Sequence, residues 1–364
     1  MVDSRRIKIT LTNRKTITIC LILLNILSLA AIYSSLHQAG KFVGANLLHK
    51  QIIWMVVSWM FLVAFSFINY RFYFDLSYVI YGVNLFLLIA VSIFGKTIMG
   101  AQRWISIFGI TFQPSEFSKL AIIILLARIF SQPQRKNFIK GFLLPLGLVG
   151  LNALVIFKQP DLGTALIIFF LFLAIGLLSR VNKLYFACLI ALGLIVSPFA
   201  INSLKTYQKK RLMVFINPNI DPMGSGYTII QSKIAIGSGK AFGKGFLAGT
   251  QNQFNFLPER HTDFIFTVIS EEWGFIGSIF LLLIYWFILK KILQKQKDLI
   301  DPFAYFLCAG ISVLIFLHVF INIGMTLGIL PVVGLPLTFL SYGGTNMVIS
   351  FTLIGIFFNI CRQK

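Results

Sequence analysis

Ten apolar stretches run along this chain, near residues 17–35, 52–70, 76–95, 115–130, 141–157, 161–179, 184–203, 263–289, 302–325 and 342–360. Each approaches the roughly 20 residues an α-helix needs to cross the hydrocarbon core of a bilayer. No soluble core hides this much apolar surface: 57% of the residues are hydrophobic, 38 of them are Phe, and the mean hydropathy is +0.86. Backbone polar groups inside lipid must be satisfied within the spanning segment, which favours helices. The expected fold is an all-α polytopic membrane protein of about ten transmembrane helices, forming a single membrane domain over residues 1–364. No short h-region with a small-residue cleavage site precedes the first span, so it reads as retained helix rather than signal peptide.

Ten spans starting inside assign every tail and loop to a side. Of the 32 Lys and Arg residues, eighteen then fall in inner segments, six in short outer ones and eight in one long outer loop of about 204–262. Cytoplasmic flanks carry the excess of Lys and Arg, so both termini are expected in the cytoplasm. The formal charge of +21 is therefore largely flank facing anionic membrane lipids, and does not require nucleic acid as a partner. The eight outer-loop cations are not demanded by the topology rule. They point to a negatively charged ligand on the outer side. Cys20, Cys188, Cys308 and Cys361 stand apart with no C-x-x-C spacing, and the four histidines form no metal-ligand pair at helical spacing, so neither a disulfide framework nor a zinc site is implied.

With only eleven carboxylates in the chain, their positions carry information. Asp263 stands where the polar run Leu-Pro-Glu-Arg-His-Thr at 257–262 meets the eighth apolar stretch. An ionisable side chain at such a boundary is costly to desolvate and more often marks a reaction site than decoration. Its bland reading is an N-cap for the eighth helix. Glu259, Glu271 and Glu272 lie close by in sequence. Two helical turns put Glu271 roughly 12 Å deeper than Asp263, too far for a carboxylate dyad. The Glu pair is therefore expected to bond neighbouring helices, with a cavity-lining role as the alternative. A divalent cation, Mg or Mn, has Asp263 as its candidate ligand, with Asp161 sharing the cavity.

Other stretches have two readings each. Glu116 and Lys119, three apart behind Pro114, share a helix face; they form either a buried structural ion pair or a unit in which Lys119 and Arg103 hold a phosphate that Glu116 helps to orient. Asp161 is placed to cap the sixth helix. Gly237-Ser-Gly-Lys-Ala-Phe-Gly-Lys-Gly245 fails the Walker spacing and reads as a flexible basic loop near lipid headgroups. Residues 228–236 read as a short amphipathic helix at the interface. Pro and Gly recur inside the apolar run 331–345, which predicts a re-entrant segment with Gly343 and Gly344 opening backbone N–H groups to a ligand.

These stretches together resemble the SEDS family of shape, elongation, division and sporulation proteins over most of the chain. The carriers are Gly-Ala-Gln-Arg-Trp at 100–104, Gln-Pro-Ser-Glu at 113–116, Gln-Pro-Asp-Leu-Gly-Thr at 159–164 and Ser-Tyr-Gly-Gly at 341–344. The blocks at 224–239, 249–251 and 257–266 look like the elongation, RodA-type branch rather than the division, FtsW-type branch. The resemblance implies a peptidoglycan glycosyltransferase of the cytoplasmic membrane. It would polymerise lipid II on the outer face, with a class B penicillin-binding protein and the elongation machinery as partners. It matches the family's essential aspartate to Asp263 and its Glu and Lys to Glu116 and Lys119. An undecaprenyl pyrophosphate leaving group would then be stabilised by Arg103, Lys119, Arg260 or a divalent cation. Glu116, His261, Ser341, Gly343 and Gly344 would also border the substrate, and Asp161, Glu259, Glu271 and Glu272 would support the site. Relatives usually carry Arg where this chain has Thr111; Trp273 and Thr345-Asn346 also depart from the pattern. A lipid flippase, a noncatalytic scaffold and a septal polymerase are the alternatives.

Overall fold

Each of the ten apolar stretches maps onto a helix in the computed structural model of the protein, which describes residues 2–37, 41–98, 101–107, 110–132, 137–202, 206–254 and 256–363. The helices that carry these stretches are α1 (Val2–Leu36), α2 (Lys41–Phe67), α3 (Tyr70–Phe94), α4 (Pro114–Ser131), α5 (Leu144–Lys158), α6 (Leu162–Leu178) and α7 (Lys183–Asn202). After three shorter helices, α8 (Thr206–Ile216), α9 (Ser225–Ser238) and α10 (Thr250–Gln253), come α11 (Ile265–Lys297), α12 (Pro302–Thr326) and α13 (Gly344–Arg362). Seven are long and apolar enough to cross a membrane: α1, α2, α3, α5 with the π-helical turn before it, α11, α12 and α13. The apolar runs of α6 and α7 are shorter, and α4 holds three charges in its 18 residues. Gly100, Phe108 and Gly109 of the expected outer segment, Arg135, Lys136 and Lys364 of the cation count, and Leu204 and Lys205 of the outer loop lie outside the described residues.

Local chemistry sets the helix starts. Pro114 opens α4 in the first turn, where a missing N–H costs nothing. Asp161 and Asp301 cap α6 and α12 by accepting from Thr164 N and Phe303 N. Between α3 and α4 the chain forms an antiparallel three-stranded sheet, β1 (Lys96–Ile98), β2 (Ala101–Ile107) and β3 (Ile110–Phe112), with Lys96 opposite Trp104 and Ile105 opposite Phe112. An all-α reading misses it because two strands are three residues long, too short to show alternation.

α4 and α13 run through the interior. α13 lies along α2, and a Cβ at Gly344 would sit 2.1 Å from the Trp54 ring, so only glycine admits that contact.

The long helix α11 is broken. Gly274 has φ 68° and ψ −159°, a conformation essentially reserved for glycine. The break leaves backbone groups without intrahelical partners, and the segment 239–245 supplies them. Lys244 N and Gly245 N donate to Glu271 O and Glu272 O, while Phe275 N and Ile276 N donate to Lys240 O and Ala241 O. The expectation of a flexible basic loop at the lipid headgroups is therefore corrected: this segment is stitched into α11. Residues 228–236 do lie on a helix, α9. One face is buried, with Ile229, Ser232 and Ala235 in protein and Ser232 bonded to Thr326 O at the end of α12, while Lys233 and Ile234 stay exposed on the other.

Candidate active site

Asp263 sits in the turn just before α11, whose N-cap is Phe264, without a side-chain cap bond, so the N-cap reading of Asp263 does not hold. Glu259 begins that turn at φ 52° and accepts from Thr262 N and Phe264 N through its carbonyl. The loop 327–343, buried at Leu335 and over 337–341, borders the other side: a Cβ at Gly334 would come 3.3 Å from Asp263 Oδ2. Burial, reinforced by the neighbouring Glu259 carboxylate, pushes the Asp263 carboxyl up to about 6, while Arg211 and Arg103 pull against the rise. Asp161 lies far enough off to add only a small further upward push.

Of the outer cations, Arg103 and Arg211 are thus the two felt by Asp263. Arg103, on β2, lies 3.6 Å from Asp161 Oδ1, and its Nε is buried without a hydrogen-bond partner among the described residues. Arg211, on α8, also donates to Val332 O at 3.1 Å in the loop beside the site. The sequence counted Arg211 among eight outer-loop cations but could not single it out, since only the fold of α8 brings it here. Arg260 goes elsewhere: it is 9% exposed and its Nε donates to Ser35 O at the end of α1, 2.6 Å away. Burial lowers the His261 pKa, so the ring is held neutral and serves poorly as an anion-binding cation; it packs edge-on against Tyr342. Thr111, where relatives carry Arg, is exposed on β3.

Asp161 takes the expected capping role. It caps α6, accepts from Ser115 Oγ, Gln113 Nε2 and Thr164 Oγ1, and faces Arg103.

Glu116 and Lys119 form the i,i+3 pair at 2.7 Å, in its buried structural version. Lys119 is 1% exposed, and its ammonium also reaches His318 Nε2 at 3.0 Å; Asn346 Nδ2 holds the other Glu116 oxygen at 2.8 Å. With its donors turned inward, Lys119 stands behind the site and does not line it beside Arg103. The departure Thr345-Asn346 has a place here, since Thr345 Oγ1 accepts from Gln113 N and Asn346 holds Glu116. His318 and Asn322, one turn apart on α12, join this network and were missed. Their signal was present in the sequence as two polar residues at i,i+4 in an apolar run.

The loop 327–343 is irregular backbone, half-buried over most of 327–336 and buried over 337–341. Ser341 Oγ donates to Thr262 O and accepts from Leu337 N, tying this loop to the Asp263 turn. On its Cα side Gly344 packs against Trp54, and Gly343 has free space beside it.

Glu271 and Glu272 are separate from Asp263. Glu271 is fully buried and accepts from Lys244 Nζ, Asn252 Nδ2, Gln251 N and Thr250 Oγ1, so it fastens α10 and the segment 239–245 to α11. Glu272 accepts from Ser34 Oγ on α1.

A divalent cation needs several free oxygen ligands. Among the described residues no group of three or more His, Cys, Asp and Glu side chains is arranged to hold one, and the Asp161 oxygens are taken by four protein donors and Arg103. Asp161 therefore has no oxygen left over for a metal.

A family model of cell cycle proteins, named for FtsW, RodA and SpoVE, matches residues 14–364. The peptidoglycan glycosyltransferase MrdB of Escherichia coli K12 is 36% identical over 351 residues, covering 95% of this chain and 93% of its own length. The peptidoglycan glycosyltransferase RodA of Treponema pallidum is 31% identical, with 94% and 97% covered. Among solved structures, a chain of a peptidoglycan synthase complex, studied for how it coordinates polymerization and crosslinking, is similar at a TM-score of 0.78 and 29% identity, covering 94% of this chain and 96% of that one.

Proposed function

This chain belongs to the FtsW/RodA/SpoVE family of cell cycle proteins, and on that footing we propose that it is a peptidoglycan glycosyltransferase that polymerises lipid II with Asp263 as general base. The observation that carries the assignment is the placement of Asp263: a half-buried carboxyl bordered by Gly334, at the end of the bundle where the sequence motifs converge and within electrostatic reach of two arginines, with desolvation pushing its pKa up to about 6. A base works best when its pKa lies near the operating pH. An ordinary carboxylate is too weak a base for a sugar hydroxyl, whereas one near 6 is more basic and still mostly ionised at neutral pH.

The reaction needs one such group. The 4-hydroxyl of the acceptor sugar attacks the anomeric carbon of the donor, the α linkage to pyrophosphate breaks, and a β linkage forms with inversion. Asp263 takes the hydroxyl proton. The bond electrons leave with undecaprenyl pyrophosphate, a leaving group that needs charge stabilisation more than a proton. Arg103 and Arg211 supply that charge from β2 and α8. The lipid tails stay in the bilayer and enter between helices, which reconciles an apolar catalyst with a polar reaction.

The end of the bundle bearing Asp263 is assigned to the outer face by the distribution of Lys and Arg, in a multi-pass protein of the bacterial inner membrane. The solved relative comes from a peptidoglycan synthase complex, which supports a class B penicillin-binding protein as partner. The test is polymer formation from lipid II by purified protein in detergent or vesicles, with Asp263→Ala beside wild type. Glycan strands from wild type alone are expected. Translocation of lipid II without polymer would favour a flippase, and full activity in Asp263→Ala would remove the base assignment.

A further inference from the structure

Inside the bundle α12 carries His318 and Asn322, at 1% and 0% exposure. The Asn322 amide nitrogen has two hydrogens, and each meets a backbone carbonyl from a different segment: Asp263 O at 2.8 Å and Leu335 O at 2.7 Å. One carbonyl belongs to the residue assigned as base, the other to the loop 327–343 that borders it. The next carbonyl along that loop, Pro336 O, lies 3.0 Å from His318 Nδ1, and His318 Nε2 lies 3.0 Å from Lys119 Nζ. An ammonium only donates, so Nε2 accepts and Nδ1 carries the proton given to Pro336. Gly334, just before Leu335, borders the Asp263 carboxylate, since a Cβ there would come 3.3 Å from Oδ2. α12 therefore grips the loop at two successive carbonyls beside the point where it borders the base.

We infer that Asn322 is a positioning residue for glycosyl transfer: it clamps the Asp263 turn to the loop 327–343 and so sets the direction of the carboxylate, with His318 as the second grip. The inference rests on the reading of Asp263 as the base. Asn322 touches that residue only through its backbone, so its effect is on geometry. The arrangement leaves Asn322 Oδ1 buried without a partner among the described residues, an arrangement an apolar side chain would avoid at the expense of the clamp.

The experiment measures lipid II polymerisation by Asn322→Leu, His318→Leu and His318→Asn, each purified as monodisperse protein, with Asp263→Asn in parallel. For Asn322→Leu we expect kcat to fall on the order of 100-fold, as a misplacement of about 1 Å can produce, with KM for lipid II little changed. Its acid limb should move from near pH 6 towards the ordinary carboxylate range as Asp263 escapes its desolvated position. A purely structural defect lowers the amount of active enzyme and leaves that limb in place. His318→Asn, whose amide nitrogen overlays Nδ1, should keep most of the rate that His318→Leu loses. Wild-type kcat and an unmoved limb in both Leu variants overturn the positioning role, and if Asn322→Leu yields no folded protein the His318 pair decides alone. An active Asp263→Asn removes the base reading itself; an inactive one beside unaffected Leu variants removes only the clamp.

Discussion

At the scale of the residue, Asp263 ties mechanism to stability through one shift. Its carboxyl rises from 3.8 to about 6, so the folded protein holds the proton more tightly than the unfolded chain does. The group's contribution to stability is full below about pH 3.8 and is lost as pH rises through about 6. Asp263→Asn should therefore raise the melting temperature at pH 7.5, with the gain vanishing towards pH 4, while polymerisation falls by about 10²–10⁴-fold. Thermal melts across pH and a glycan-length assay check the two halves. The same logic gives signs to its neighbours. Removing the like charge with Glu259→Gln should move the acid limb of kcat/KM to lower pH, and removing the opposing charge with Arg211→Gln should move it to higher pH. A pH–rate profile in which both limbs move the same way would contradict the electrostatic account. The buried pair behaves differently. Glu116→Gln strands the Lys119 ammonium inside the bundle and should cost about 3–5 kcal/mol, most of which the double substitution Glu116→Gln, Lys119→Met should recover, as read by denaturant titration.

At the scale of the element, the break in α11 is the feature whose loss should cost most. A Cβ at Gly274 would lie 2.3 Å from Gly243 N, at a φ and ψ that other residues avoid. Gly274→Ala should cost about 3 kcal/mol or more, visible as a lower melting temperature. Glu271→Ala should do similar damage through another route, since it strands Lys244 and three further donors. In both variants the surviving folded protein should polymerise at a nearly normal rate, which assay per mole of folded enzyme will show. The apolar periodicity made α11 visible as one span but could not reveal the break. A glycine in an apolar run is unremarkable until a second segment, 239–245, is found donating and accepting at the gap.

At the scale of the whole molecule, the starts of α4, α6, α11 and α13, the end of α12 and the small sheet meet at one end of the bundle, linked by Gln113, Asp161, Ser341 and Asn322. That end is proposed to face outward. In a Cys188→Ser background, a membrane-impermeant maleimide added outside should label Thr111→Cys on β3 and leave Ile300→Cys, exposed between α11 and α12, unlabelled until the membrane is opened. The reverse pattern would invert the topology and move the chemistry inside.

Hydropathy alone located ten apolar stretches, each of which lies on a helix, because the energy of placing an apolar stretch in lipid is local and additive along the chain. The scarcity of carboxylates was enough to isolate Asp263, since an ionisable group at a span boundary is costly wherever the rest of the chain goes. What the tertiary structure decided was partnership: Lys119 with His318 instead of an open phosphate site, Arg260 with Ser35, Gly344 under Trp54, Arg211 beside the base and Asn322 holding it. Those pairings join residues far apart in the chain, Arg260 and Ser35 by 225 positions and Gly344 and Trp54 by more still. They depend on how helices pack, and one helix carries in its own sequence no record of which neighbour its polar face will meet.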